Sequence, residues 1–119
     1  MTKISKRLLA ITSFIEKKDK AADIGCDHGL LSIYLKENNL IKNIIASDIN
    51  QNALNNAIKN IEAKKLKIKT ILSDGIKNIN TDNLNTLIIS GMGTSTILHI
   101  LTIPTKLKNI NKIIIQSNN

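Results

Sequence analysis

Aromatic side chains are nearly absent from this chain. It has no tryptophan, one tyrosine (Tyr34) and one phenylalanine (Phe14), too few rings for the base-stacking platforms of single-strand binders. Both rings are expected in the core. The lone cysteine, Cys26, excludes an internal disulfide and fits a reducing, cytoplasmic setting. No run of about 18 apolar residues occurs, so no membrane span is expected. The basic start, Met1 to Leu9, leads into only a short apolar run broken by Thr12 and Ser13, which is not a signal-peptide pattern. Nothing in the sequence marks a linker or an internal repeat. A length of 119 residues then fits one domain with a single core.

Positive charge is present in excess. Lys and Arg number 17 against 9 acids, a formal net charge of +8. Such a balance fits a polyanionic partner such as RNA. A second reading is compositional: Lys, Asn and Ile are all abundant and Arg7 is the only arginine, the bias an A/T-rich genome imposes. Composition leaves both readings open.

Apolar periodicity divides the chain into alternating elements. Ile4, Leu8, Ile11 and Ile15 recur at helical spacing, predicting a helix over Lys3 to Phe14. Ala21 to Ile24 reads as a first strand, Leu30 to Glu37 as a helix, and Asn43 to Ser47 as a second strand. That second strand has no polar alternation, as expected when both faces are buried. A helix over Asn50 to Lys64, a strand over Ile68 to Leu72 and a short turn over Ile76 to Ile79 follow. A fourth strand over Leu84 to Ile89, a helix over Thr96 to Leu101 stopping near Pro104, and a fifth strand over Lys112 to Ile115 complete the pattern. Strands alternating with helices predict an α/β fold, a doubly wound, Rossmann-like parallel sheet of about five strands. Right-handed crossovers put every strand-to-helix loop on one edge, at the carboxyl ends of the strands.

The first of these loops is the most informative. Asp23-Ile24-Gly25-Cys26-Asp27-His28-Gly29 joins a strand to a helix, and its glycines let a ligand approach the backbone where a Cβ would collide. Asp48 ends the second strand, about 20 residues on, where an acid can hold ribose hydroxyls. A dinucleotide-binding turn would want Gly-x-Gly-x-x-Gly; here the pattern is Gly25-x-x-x-Gly29, with Asp23 before it and Asp27 inside. Those carboxylates would repel a pyrophosphate and suit a ligand carrying an ammonium and a sulfonium. S-adenosylmethionine has both, and its ribose would still use Asp48. A nicotinamide-dependent oxidoreductase is therefore the weaker alternative.

The segments Ile4-Ser5-Lys6-Arg7-Leu8, Ala22 to Gly29, Ala46-Ser47-Asp48-Ile49-Asn50, Ser73-Asp74-Gly75, Ile89-Ser90-Gly91-Met92-Gly93 and Ile115-Gln116-Ser117-Asn118 run almost end to end. In this order they resemble the bacterial tRNA (adenine-N1)-methyltransferases of the TrmK family, which act on adenine(22) of the tRNA D arm. The resemblance implies a class I methyltransferase core, S-adenosylmethionine as cofactor, tRNA as partner, no metal, and direct methyl transfer to a ring nitrogen. Two departures stand out: Ser117 replaces a proline of the family's Gln-Pro-Asn pattern, and the family fold continues into further strands and a helical C-terminal domain. A fragment, or a degenerate non-catalytic donor-binding module, is the alternative expectation. An uncovered fifth strand would also favour self-association through the sheet edge.

Roles follow residue by residue. Gly25 and Gly29 are expected to let the donor approach the backbone, and Asp48 to hold its ribose. Asp23 either caps the following helix or contacts the methionine ammonium. Asp74, with Gly75, is either a turn residue or, on the resemblance, a contact to the donor's adenine amino group. Gly91, Met92 and Gly93 lie where the target base would enter, with a core role for Met92 as the duller reading. Asp27 orients His28 or faces the target adenine; His28 caps a helix or positions the target, since adenine N1 needs no strong base. Asn118 is a candidate for the adenine N6 amino group. Arg7, with Lys6, contacts phosphate or lies on a solvated face. Cys26 is expected to pack and not to act as a nucleophile.

Overall fold

The computed structural model describes residues 1–118. Five strands, β1 (Lys20–Ile24), β2 (Asn43–Asp48), β3 (Lys69–Leu72), β4 (Thr86–Met92) and β5 (Lys112–Ser117), form one sheet. Their spatial order is β3-β2-β1-β4-β5, with every neighbouring pair parallel. The helices are α1 (Lys6–Thr12), α2 (Leu30–Glu37), α3 (Gln51–Ala63) and α4 (Thr94–Ile100), and a 3-10 turn covers Pro104–Leu107. This is the doubly wound, Rossmann-like architecture that the strand and helix alternation predicts.

Strand periodicity explains how both faces become apolar. Ala21, Ile44, Ile88 and Ile114 pack on one face against Ile11 of α1 and Leu31 and Leu35 of α2. Ala46 on that same face meets Leu54 and Ala57 of α3. The intervening residues Ala22, Ile24, Leu87 and Ile89 point the other way, onto Ile97 and Ile100 of α4 and onto Ile76 and Ile79 of the turn after β3. A strand buried on both faces has no polar position to spare, hence its unbroken apolar run. The chain winds outward from β1 to β3, then returns to β4 and β5. The strand order therefore reverses between β1 and β4, and loops diverge there to leave a crevice.

Several boundaries differ from the periodicity. Helix α1 starts at Lys6 because Ser5 Oγ accepts the Leu8 N–H at 3.3 Å. It ends at Thr12, and the ring of Phe14 consequently leaves the apolar stripe and is 63% exposed, so Phe14 is not a core residue as composition implied. Tyr34 is half-buried on α2. Helix α4 begins at Thr94, with Gly93 as its N-cap, and β4 runs three residues further than Ile89.

The amino ends of β1, β4 and β5 are tied by one buried carboxylate. Asp19, 1% exposed, accepts the Glu16 N–H at 2.8 Å, Asn85 Nδ2 at 3.2 Å and Lys112 Nζ at 2.6 Å. Burial alone would raise its pKa, but the Lys112, Glu16 and Asn85 hydrogen bonds outweigh it and the net shift is downward. This knot lies at the end of the sheet opposite the crevice.

Candidate functional site

Backbone conformation at the β1–α2 loop is set by three residues in the left-handed region: Gly25 (φ 74), Asp27 (φ 51) and Gly29 (φ 75). The loop closes on itself. The Gly25 and Cys26 N–H groups both donate to Ser47 O, at 2.9 and 2.8 Å, and the Gly29 N–H donates to Cys26 O at 2.7 Å. The Asp27 N–H donates to Asp48 Oδ2 at 2.9 Å, while Asp48 Oδ1 accepts the Asn50 N–H, also at 2.9 Å. Asp48 is thus a carboxylate gripped from both sides, joining the first loop to the start of α3. Each of its oxygens has accepted one hydrogen bond, and the remaining lone pairs can take further hydroxyl donors.

Two cavities open along the crevice and share Gly25, Asp27, Ser90 and Gly91. The first, about 210 Å³, adds Arg7, Asp23 and Gln116 among its lining residues. The second, about 360 Å³, reaches Asp48, Asp74, Met92 and His99. The two are lined with carboxylates. Asp23 is 1% exposed and accepts a hydrogen bond from Ser32 Oγ of α2 at 2.7 Å. Burial pushes its pKa up to about 6, the serine bond works against that, and the charge of Asp48 adds to it. Burial, followed by the nearby charges of Asp23, Asp48 and Asp27, pushes the Cys26 thiol strongly upward. A thiol held protonated packs and does not attack.

Each glycine answers to a different neighbour. A Cβ on Gly25 would collide with Met92 Cε; the methionine lies directly over the loop. At Gly29, the N-cap of α2, a Cβ would come within 3.1 Å of Ala57 Cβ, so this glycine also serves the close packing of α2 on α3. Gly91 (φ 71) has open space where its Cβ would be, the condition for a ligand to approach the backbone.

Gly91 also explains the extra length of β4. The register slips between the pairs Ser90↔Gln116 and Met92↔Ser117, leaving Gly91 as a bulge. The bulge is clamped from β5: the Gly91 N–H donates to Gln116 Oε1 at 3.0 Å, and Asn118 Nδ2 donates to Gly91 O at 2.7 Å. The Asn118 N–H donates to Met92 O at 2.9 Å, and Arg7 Nη1 reaches Asn118 Oδ1 at 3.4 Å. Helix α1, the bulge and the end of β5 therefore form one connected unit.

The sheet brings Asp23, Gly25, Asp27, Asp48, Asp74, Gly75, Gly91 and Met92 to one crevice. Gly93 stands beside it as the cap of α4. His28 is exposed, 3.9 Å from Asp27 Oδ2, and its carbonyl accepts Asn60 Nδ2 of α3 at 2.8 Å. Asp74 Oδ1 lies 3.5 Å from His99 Nε2 on α4. Asn118 has its amide engaged with the bulge and Arg7. Sequence reasoning missed Ser32 and His99 and gave Gln116 no role. A serine between Leu31 and Ile33 in an apolar helix was the legible signal for Ser32; nothing local marks His99.

A family model described as a methyltransferase domain matches residues 4–119. The tRNA (adenine(22)-N(1))-methyltransferase of Bacillus subtilis is 32% identical over 98% of this chain and 50% of its own length. The solved TrmK of M. capricolum, in complex with S-adenosyl-homocysteine, is 40% identical with a TM-score of 0.83, over 98% of this chain and 53% of that one. A Streptococcus pneumoniae protein solved with S-adenosyl-L-methionine is 37% identical with a TM-score of 0.90, over 98% and 56%. The chain spans about half the length of the relatives it matches. On the family match and the shared fold, the chain belongs to the methyltransferase-domain family, with TrmK proteins among its relatives.

Proposed function

We propose that residues 1–119 are the donor-binding domain of an S-adenosylmethionine-dependent methyltransferase acting on N1 of adenine(22) in tRNA. The observation that carries this reading is the row of carboxylates from Asp23 through Asp27 and Asp48 to Asp74 along one crevice. Relatives of this chain include an enzyme named for that reaction and structures holding the donor or its product.

The residues fit the donor's chemistry. Asp23 and Asp27 offer negative charge to its ammonium, and Asp48, already oriented by two N–H groups, has lone pairs for the ribose diol. Asp74 stands at the far end for the adenine. A pyrophosphate would find no such welcome: the Gly25, Cys26, Asp27 and Gly29 N–H groups are all spent on internal acceptors. That counts against a nicotinamide cofactor. When bound, S-adenosylmethionine supplies an electrophilic methyl carbon whose bond to sulfur breaks, electrons going to sulfur, as adenine N1 bonds to it. N1 carries its own lone pair, so neither His28 nor Asp27 needs to remove a proton before attack. Asp27 is placed to offset the positive charge left on the methylated base. The clamp by Gln116 and Asn118 fixes the Gly91 bulge beside the reacting atoms, a positioning role. Extracting the target adenine from its stack costs a few kcal/mol, which contacts from Arg7 and Lys6 to phosphate would offset.

Among the described residues no helix is long and apolar enough to cross a membrane; a tRNA substrate places the chain in the cytoplasm. The test is methyl transfer: incubate the chain with S-adenosylmethionine and a tRNA transcript, then sequence the modified base by mass spectrometry. N1-methyladenosine at position 22 is expected, and none in a transcript carrying guanosine there. Donor binding without transfer would overturn the catalytic reading and leave a donor-binding module.

A further inference from the structure

The net charge of +8 is at odds with a crevice lined by carboxylates. Apart from Arg7, the cations lie elsewhere. At the amino end of the sheet, opposite the crevice, a groove of about 700 Å³ is lined by Lys20, Lys36, Lys42, Lys67 and Lys69, and no acid lines it. These lysines come from the starts of β1 and β3, the end of α2 and the approaches to β2 and β3. Lys20 and Lys69 flank β2, since Lys20 pairs with Asn43 and Lys69 with Ile45, which puts their backbones about 12 Å apart across two strand spacings and a two-residue offset. Lys18, Lys64 and Lys112 each have a carboxylate partner. Among the described residues none of the five groove lysines does, and of their ammoniums only that of Lys36 is engaged, donating to the neutral Lys42 carbonyl at 2.8 Å. Five like charges around one concavity repel each other, an arrangement relieved by a polyanion.

We propose that this groove binds the phosphate backbone of a folded RNA, at a place remote from the target adenine. The proposal rests on RNA being the substrate, and adds a second contact surface to it. Lysine ammoniums are point charges that neutralise phosphates without reading bases. Asn43 and Asn83, also in the lining, carry neutral amides of the kind that bond sugar hydroxyls and phosphate oxygens. A membrane surface fits less well: the groove is concave and has no aromatic ring to seat at the interface. The β-strands separate this groove from the crevice by five or six residues, roughly 17–20 Å, and the two open at opposite ends of the sheet, so an RNA that reaches both must fold around the protein.

The experiment compares the parent chain with the triple variant Lys42→Gln, Lys67→Gln, Lys69→Gln. A control variant, Lys59→Gln, Lys77→Gln, Lys108→Gln, removes the same charge at exposed positions outside the groove. Binding of an unmodified tRNA transcript is measured from 50 to 200 mM salt. Three lost phosphate contacts lower the slope of log K against log salt by about 2–3, so the parent loses about thirty-fold more affinity than the groove variant over that range. S-adenosylmethionine binding, measured in parallel by calorimetry, stays unchanged in all three chains. An equal slope change in the control variant, or none in the groove variant, overturns the proposal. So does groove-dependent binding of phosphatidylserine vesicles without tRNA binding. A parent that binds tRNA and donor while the groove variant shows no slope change refutes the groove and leaves the methyltransferase reading intact.

Discussion

Asp23 is a carboxylate at 1% exposure with a single hydroxyl partner, and its replacement by asparagine separates stability from function. Its pKa rises from 3.8 to about 6 on folding. An acid whose folded pKa is raised binds its proton more tightly in the folded state, so the fold is favoured at low pH. The penalty is absent below about 4, grows as the pH climbs through 6, and is then complete. Two units at about 1.4 kcal/mol each amount to ~3 kcal/mol. Asparagine carries no charge to desolvate, but its amide N–H₂ needs an acceptor, which takes back ~1 kcal/mol. Asp23→Asn is therefore expected to be more stable than the parent by ~1–2 kcal/mol at pH 8 and no more stable at pH 4. Urea titrations of both chains at the two pH values measure the difference directly. Calorimetry is expected to show donor affinity at least ten-fold weaker, from the lost charge-assisted contact. A stability difference independent of pH, or a variant less stable than the parent at pH 8, would refute the reasoning.

Three further outcomes follow from the packing. Gly25→Ala places a Cβ against Met92 Cε at a φ of 74 and should destabilise by ~1–3 kcal/mol; adding Met92→Ala should recover the steric part and not the conformational part, as a double-mutant cycle reads out. Asp19→Ala strands the Lys112 ammonium and should lose ~3 kcal/mol in denaturant titration. Because the folded Asp19 pKa is lowered, its contribution is complete above about 4 and lost at lower pH, so Asp19→Asn should flatten acid unfolding below about pH 4. Strand β5 leaves Ile113 and Ile115 exposed at 41% and 47% on the sheet edge; sedimentation at rising concentration is expected to show self-association, reduced by Ile115→Lys.

The sequence made the sheet legible because its strands are short apolar runs, with β1, β2 and β4 each running into an acid or a glycine. Asp23-Ile24-Gly25 and Ser47-Asp48 marked where β1 and β2 end, and the acids marked the crevice. The bulge escaped notice because Ser90-Gly91-Met92-Gly93 has loop composition; it is strand only because Gln116, 25 residues later, takes the Gly91 N–H. Asn118 read as a candidate site residue, while its attachment to Gly91 and Arg7 joins residues 27 and 111 positions apart. Gly29 read as a ligand-approach residue, whereas Ala57 of α3 also requires it. Phe14 read as core because one of only two rings is expected to be buried, whereas α1 stops at Thr12 and leaves it exposed. Apart from Phe14, each miss is a long-range contact overriding a local pattern.

Titrating S-adenosylmethionine calorimetrically onto the folded chain, with Asp48→Ala alongside, tests the central claim most directly. Asp48 joins the Asp27 and Asn50 N–H groups at the cavity where the ribose would lie. One binding site in the parent, lost in an Asp48→Ala chain that circular dichroism shows still folded, is the predicted result. A folded parent that binds no donor, or an Asp48→Ala chain that binds it as well as the parent does, would contradict the account.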